Sequence, residues 1–195
     1  MSEENTKGDY HIEKIICPSC QKEGANVITH ILDIPYYEDF AMLNINCSSC
    51  GYRTSDFLNL KEKDHTLMSY RVENETDNRT KIVRSKEGIV SIPELGIRIE
   101  PTGDGTSWIR NIEGVLEDIK SKIIISLRYS ETAEEKRTVK QRIKLLKKLM
   151  KNEISFTIQV EDPSGNSVIL PENPEKLEIE IIETVEEKQK QAKQV

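Results

Sequence analysis

The chain of 195 residues carries 28 basic and 34 acidic side chains, which gives a formal net charge of −6 at pH 7. This balance disfavours bulk affinity for nucleic acid or for acidic lipid, since both attract cationic proteins. The sequence has no run of about 18 apolar residues that could span a membrane, and residues 1–8 lack the apolar segment of a signal peptide. We therefore expect a cytoplasmic protein with reduced thiols, built as one ordinary domain or two small ones.

Residues 1–13 are polar and are expected to form a flexible tail. The four cysteines of the chain follow as two Cys-x-x-Cys pairs, Cys17 with Cys20 and Cys47 with Cys50, separated by 26 residues. Two residues between thiols allow a tight turn that points both sulfurs at one centre, and four thiolates suit a closed tetrahedral zinc site. The alternatives are a redox dithiol, which usually lies beside a βαβ pattern that is missing here, and disulfides, which need an oxidising compartment.

The spacer between the two pairs predicts a β-hairpin, with strands over residues 26–34 and 40–46 and a break at Pro35. Residues 14–60 therefore predict a zinc ribbon that depends on its metal for folding. Two basic and five acidic side chains lie between Cys17 and Leu60, so this ribbon is more suited to protein than to phosphate. Tyr36, Tyr37 and Phe40 are candidate partner contacts, with packing against the next domain as the alternative.

Residues 61–182 predict a β domain that contains a helical hairpin over about residues 106–151. Short strands over residues 66–73, 80–84, 88–93 and 95–100, without βαβ alternation, indicate a sandwich or a small barrel. Thr106 or Ser107 is expected to cap the first helix, whose apolar stripe starts at Ile109. Thr132 and Glu135 predict a capping box for the second helix. Strands return over residues 154–161, 168–170 and 176–182, and residues 183–195 are expected to be a polar tail.

The second helix carries eight cations between residues 136 and 151 and no acidic residue. One interpretation is a solvated face whose charges complement the helix dipole, and the other is a docking face for an acidic protein surface or for RNA. The candidate partner-binding cations are Arg137, Lys140, Lys144, Lys147 and Lys148. We expect no enzyme, because the sequence has no phosphate-binding loop and no nucleophile motif. Four thiolates would also leave zinc no open coordination position.

Several sequence blocks together resemble the ZPR-type zinc-finger proteins, and the chain looks like a single-module archaeal member. The resemblance covers about residues 13–182, and its blocks are Cys17–Cys20, Ile34–Glu38, Cys47–Arg53, Ile92–Leu95, Ile112–Leu116 and Phe156–Ile158 leading into Asp162–Ser167. It implies a zinc ribbon joined to a double-stranded β-helix domain with an inserted helical hairpin. Two departures are the single module, where eukaryotic members have two, and Gln21 in place of an expected glycine.

The resemblance further implies binding to elongation factor one-alpha, the GTPase that delivers aminoacyl-tRNA, and assistance in its folding. The leading hypothesis is therefore a zinc-dependent protein-binding factor with one structural zinc. A second hypothesis is an RNA-binding or ribosome-binding translation factor that uses the basic helix at residues 136–151. A third is a β domain that holds a nucleotide or another small molecule, for which the sequence identifies no ligand.

Overall fold

A computed structural model describes residues 10–34, 37–59, 63–101 and 106–182 of the chain. Its strands and helices are β1 (Tyr10–Ile16), β2 (Glu23–Ile34), β3 (Tyr37–Cys47), β4 (Arg53–Asn59), β5 (Thr66–Val72), β6 (Lys81–Arg84), β7 (Ile89–Ile92), β8 (Ile97–Ile99), β9 (Trp108–Asn111), α1 (Ile112–Tyr129), α2 (Ala133–Met150), β10 (Phe156–Asp162), β11 (Val168–Leu170) and β12 (Leu177–Ile181). Among the described helices, none combines the length and apolar character needed to cross a membrane. The expected β-rich chain with two helices is confirmed.

The first four strands form an antiparallel sheet in chain order, and this sheet is the ribbon. The prediction of a flexible tail over residues 1–13 is wrong for residues 10–13, because these residues belong to β1 and pair with residues 27–30 of β2. The strand was missed because almost all of its side chains are exposed on both faces, so no burial periodicity marks it. Only residues 1–9 of the expected tail lie outside the described part, as do residues 183–195.

The second domain consists of a five-stranded sheet in the order β12-β5-β10-β7-β8 and a three-stranded sheet in the order β11-β6-β9. Inward residues of both sheets share one hydrophobic core, for example Tyr70 and Ile158 of the larger sheet and Ile82 of the smaller. The buried side of the helical hairpin, including Leu116 and Leu146, joins the same core. The domain is thus a two-sheet β structure with a helical hairpin inserted between β9 and β10, as the resemblance implies.

The helical hairpin begins later than expected, since residues 108–111 form β9 and pair with β6. Ile109 fits the spacing of the helical stripe, but the open edge of β6 pairs with this segment and places it in a sheet instead. The cap of α1 is Asn111, whose Oδ1 accepts the N–H of Gly114 at 2.9 Å. A Cβ on Gly114 would lie 3.0 Å from that oxygen, so glycine leaves room for the cap. The capping box of Thr132 and Glu135 is confirmed.

The ribbon is joined to the β domain through residues near the start of β3 and the end of β4. Phe40 is fully buried, and its ring stacks on that of Phe57 with centroids 6.2 Å apart, both within the core of the β domain. The carboxylate of Asp56 adds an ion pair to Lys86 at 3.1 Å and accepts a hydrogen bond from the hydroxyl of Ser107. The ribbon and the β domain therefore share one core at this junction.

A buried carboxylate organises the turn between β10 and β11. Asp162 is fully buried and accepts the hydroxyl hydrogens of Ser85 at 2.6 Å and Ser167 at 2.5 Å, as well as the N–H of Ser164 at 2.8 Å. Gly165 has a φ of +64°, and a Cβ there would lie 2.5 Å from the carbonyl oxygen of Asp64. Only glycine fits this position without displacing the backbone that approaches it.

Candidate metal centre and partner surfaces

The two Cys-x-x-Cys turns have the same backbone geometry. The N–H of Gln21 donates to the carbonyl of Cys17 at 2.9 Å, and the N–H of Gly51 donates to the carbonyl of Cys47 at 3.0 Å. Both residues adopt left-handed backbone conformations, with φ values of 58° and 75° respectively. Each turn therefore presents its two thiols from the same side of a short loop at the end of the ribbon sheet.

The four sulfurs converge on one point. All of them lie within 4.8 Å of one another, with Sγ–Sγ distances of 3.8 Å between Cys17 and Cys50 and 3.9 Å between Cys20 and Cys47. Zinc–sulfur bonds of about 2.3 Å in a tetrahedron place the sulfurs roughly 3.8 Å apart. A disulfide needs about 2.05 Å between sulfurs, so the cysteines are free thiols and the disulfide alternative is wrong.

Backbone donors prepare the site for thiolates. The N–H groups of Cys50 and Ser49 point at the sulfur of Cys47 and lower the pKa of this thiol to about 6, against the effect of burial. The N–H of Tyr52 favours the thiolate of Cys50, but burial and hydrogen bonds with the other three thiols outweigh it and raise the pKa of Cys50 to about 11. Four adjacent thiolates repel one another, and a bound divalent cation removes that repulsion. The arrangement therefore fits one zinc ion, as predicted.

The difference between the two turns gives a stability prediction. Gln21 adopts a left-handed conformation that costs a non-glycine residue roughly 1 kcal/mol or more, whereas Gly51 adopts it freely. We expect Gln21→Gly to raise the free energy of unfolding of the zinc-loaded protein by about 1 kcal/mol. Gly51→Gln is the matched reverse change and should lower the free energy of unfolding by a similar amount. A Cβ at residue 51 meets no atom within 4 Å, so the backbone conformation is the source of this loss and no steric clash adds to it. Urea denaturation measures the free energy of unfolding of both variants. A Gln21→Gly protein less stable than the wild type would contradict the conclusion that residues 21 and 51 adopt the same left-handed conformation.

Comparison with known proteins agrees with this architecture. The family model described as the ZPR1 zinc-finger domain matches residues 11–59, and that described as the ZPR1 jelly-roll domain matches residues 76–194. The chain belongs to the ZPR1 family. The jelly-roll description fits the two-sheet domain, and the zinc-finger description fits the four converging cysteines. One zinc ribbon and one jelly-roll domain make a single ZPR1 module.

Similar proteins of the ZPR1 family occur in archaea and eukaryotes. The chain is 34% identical over 160 residues to an uncharacterized ZPR1-like protein of Pyrococcus horikoshii, covering 80% of this chain and 72% of that one. It is 31% identical over 167 residues to an uncharacterized ZPR1-like protein of Methanocaldococcus jannaschii, covering 85% and 84%. The zinc finger chaperone zpr1 of Schizosaccharomyces pombe is 26% identical over 163 residues, 79% of this chain but 34% of that protein.

The structure separates the predicted partner residues of the ribbon. Phe40 is fully buried against Phe57, so the packing alternative applies to it and it is removed from the partner surface. Tyr36 lies outside the described residues, and Tyr37 is described only as the first backbone position of β3. In their place β1 presents Tyr10, which is 54% exposed, and Ile12, which is 53% exposed. This surface was not predicted, because β1 lacks the burial periodicity that marks a strand in a sequence.

The predicted cations of α2 are accessible. Arg137, Lys140, Lys144 and Lys147 are exposed and Lys148 is half-buried. Within the described part of the chain, none of the five forms an ion pair with a carboxylate. No described carboxylate therefore occupies these cations, which makes them available to an acidic partner.

The first helix supplies apolar residues that sequence reasoning missed. Tyr129 is 80% exposed, and Ile125, one turn before it, is 51% exposed. Residues spaced by four lie on one face of a helix, so these side chains form a continuous apolar strip. The strip lies in the half of the hairpin that projects from the domain, opposite the start of α2, where every side chain over residues 131–138 is exposed. We call this part, residues 122–142, the hairpin tip.

Proposed function

We propose that the chain is a zinc-dependent protein-binding factor whose client is a GTPase of the elongation factor one-alpha type. We further propose that it assists the folding of this client and acts without a catalytic step. The observation that carries the proposal is the hairpin tip, which exposes both an apolar strip and cations that form no ion pair with a described carboxylate. The family resemblance names the client, and one eukaryotic relative of this chain is itself named a chaperone.

The composition of the hairpin tip favours a protein partner. Interface centres are enriched in aromatic residues and arginine, and Tyr129 lies beside Arg128, with Arg137 on the facing helix. Contact of an apolar strip with water is unfavourable, and a partner that covers the strip would remove that contact. The cations of α2 would steer an acidic surface towards that strip and raise the association rate. An acidic client surface with an apolar centre therefore fits the tip.

The ribbon offers a second surface of opposite charge. Its acidic side chains outnumber the basic ones between Cys17 and Leu60, and its outer strand β1 exposes Tyr10 and Ile12. The common core at Phe40 and Phe57 holds this surface in a fixed relation to the β domain. We propose that the acidic ribbon and the cationic hairpin clasp a nucleotide-free or partly folded client. The zinc ion takes no part in chemistry and only holds the ribbon in shape.

A pull-down with charge-reversal variants tests the proposal. The zinc-loaded full chain should recover the elongation factor from native extract of its source cells. Arg137→Glu combined with Lys140→Glu should weaken binding about thirtyfold, because each change replaces attraction by repulsion at a cost of about 1 kcal/mol. Lys81→Glu, an exposed change on β6, is the control and should leave recovery unchanged. A wild-type chain that never recovers the elongation factor would refute the proposal.

The exposed cations of α2 also keep the RNA-binding hypothesis testable. RNA affinity should fall steeply with rising salt, because phosphate contacts release counterions. Lys144→Glu combined with Lys148→Glu should then abolish RNA binding. The net negative charge of the whole chain argues against RNA binding. Recovery of the elongation factor that resists salt and needs no RNA would favour the client proposal.

A further inference from the structure

A cavity of about 540 Å³ lies between the end of β8, strand β9 and helix α1, and Lys122 is the one residue of its described lining that also belongs to the hairpin tip. Its size falls in the usual range for small-molecule sites, about 300–1,000 Å³. Its lining combines three cations, Arg84, Arg110 and Lys122, with two carboxylates, one indole and several aliphatic and hydroxyl-bearing side chains.

Arg84 is the unusual member of this lining. The residue is buried, with 5% of its surface exposed. Its Nε donates to the carbonyl of Gly88 at 2.6 Å, and its Nη1 donates to the carbonyl of Thr106 at 3.3 Å. Both acceptors are neutral, and no described carboxylate lies within ion-pair distance of the guanidinium. Burial lowers the pKa of Arg84, since the charge has lost solvent, and Asp162 offsets this only at longer range. A buried cation of this kind favours an anion in the cavity.

The other charges of the lining leave a net excess of cation. Arg110 forms an ion pair with Asp118, and Glu100 pairs with Arg98 at 2.9 Å. Lys122 is exposed on α1 and, like Arg84, has no carboxylate partner among the described residues. Arg84 and Lys122 therefore remain as cations of the cavity without a close carboxylate partner among the described residues, which matches an anionic ligand.

The apolar part of the lining limits the ligand further. Ile99 and Val115 contribute aliphatic surface, and Trp108 contributes an indole that lies 5.8 Å from the guanidinium carbon of Arg84. A bare phosphate ion would leave most of the cavity and this apolar surface unused. We propose that the cavity binds a small organic phosphate. The phosphate group lies at Arg84 and Lys122, and the organic part contacts Trp108 and its aliphatic neighbours.

Trp108 makes the proposal measurable, because it is the sole tryptophan of the chain. The zinc-loaded full protein is titrated with adenosine monophosphate, inorganic phosphate and adenosine at constant ionic strength, and its tryptophan fluorescence is recorded. We expect a saturable change with adenosine monophosphate, a weaker affinity for inorganic phosphate and no saturable change with adenosine. Equal affinities for the two phosphates would overturn the role of the apolar lining. No saturable response, or equal binding of adenosine, would overturn the site.

A lysine variant tests the cavity without disturbing the core. Lys122→Gln removes an exposed cation and should weaken adenosine monophosphate binding about tenfold, the loss of one charge-assisted contact. Lys14→Gln, an exposed change of the same type on β1, is the control and should bind as the wild type does. Equal affinity in the two variants would contradict the proposal. The readout is binding of adenosine monophosphate to the purified protein, so its failure is distinguishable from a failure of the pull-down that tests client binding.

Discussion

Cys47→Ser should abolish zinc binding and unfold the ribbon while leaving the β domain folded. Cys47 is almost fully buried and belongs to a small cluster whose only other buried residues are Cys17 and Ala25. This small amount of buried apolar surface cannot offset the conformational entropy that the four strands lose on folding. The metal therefore supplies much of the folding free energy of the ribbon. Structural zinc contributes on the order of 10 kcal/mol in small domains. Most of the main core lies in the β domain, with Phe40 and Phe57 as the buried ribbon residues among its described members, so we expect that domain to stay folded without the metal.

Zinc content and hydrogen exchange measured on the same sample check this expectation. The wild type should hold one zinc per chain and protect the backbone amides of β2 and β3 from exchange. Cys47→Ser should hold no zinc and lose that protection, whereas the strands β5 and β10 stay protected. Ser49→Ala, an exposed change within the same turn, is the control and should behave as the wild type does. Full zinc occupancy and unchanged protection in Cys47→Ser would contradict a four-thiolate structural site.

Asp77→Ala should destabilise the β domain by about 3–5 kcal/mol, because it leaves the buried hydroxyl of Tyr70 and several partly buried donors without an acceptor. Asp77 is fully buried. Its carboxylate accepts from the hydroxyl of Tyr70 at 3.0 Å, Nδ2 of Asn173 at 2.7 Å and Nζ of Lys176 at 2.9 Å. It also accepts the N–H of Glu73 at 2.9 Å. The residue thus connects β5 to the segment that leads into β12. Urea denaturation measures the loss, and a change below 1 kcal/mol would contradict the assigned role.

The same carboxylate makes stability depend on pH. Burial alone raises the pKa of Asp77, but the hydrogen bonds from Lys176, the N–H of Glu73, Asn173 and Tyr70 outweigh it and lower this pKa to about 2. The folded-state pKa lies below the ordinary value of 3.8, so the contribution is present above pH 4 and is lost as pH falls towards 2. This contribution amounts to about 2 kcal/mol.

Asp77→Asn isolates that contribution, because the amide has nearly the same shape and does not titrate. The difference in unfolding free energy between the wild type and Asp77→Asn should shrink by about 2 kcal/mol between pH 6 and pH 2. Glu178→Gln on β12 changes an exposed carboxylate and serves as the control for general charge effects. A difference that stays constant with pH would show that Asp77 does not carry a lowered pKa.

The zinc centre could be predicted because metal ligation depends on local spacing. Cys-x-x-Cys fixes the direction of two thiols within one turn, and the second pair repeats the arrangement after a hairpin. The capping box at Thr132 and Glu135 is equally local and was predicted for the same reason. By contrast, the hydrogen bond from Ser85 to Asp162 joins residues 77 positions apart. No periodicity in one segment records such a contact.

Tertiary packing decided the features that sequence reasoning missed or misplaced. Phe40 resembles an exposed interface aromatic beside Pro35, but the β domain covers it. The apolar pattern of α1 indicates an amphipathic helix, yet its fully buried positions, such as Val115 and Ile119, all lie in its first half. The distal half extends past the domain and leaves Ile125 exposed. How far a helix projects depends on the size of the body it packs against, which its own sequence does not encode.

Direct binding of purified proteins tests the central claim, that a zinc-held ribbon and a cationic hairpin form one protein-binding body. Calorimetric titration of the purified elongation factor one-alpha type GTPase, in its nucleotide-free state, should give one saturable binding event with the zinc-loaded wild type. The same titration with Cys47→Ser, whose β domain stays folded, should give an affinity lower by about tenfold or more. Absence of binding by the zinc-loaded wild type, or equal affinity of the two proteins, would contradict the account.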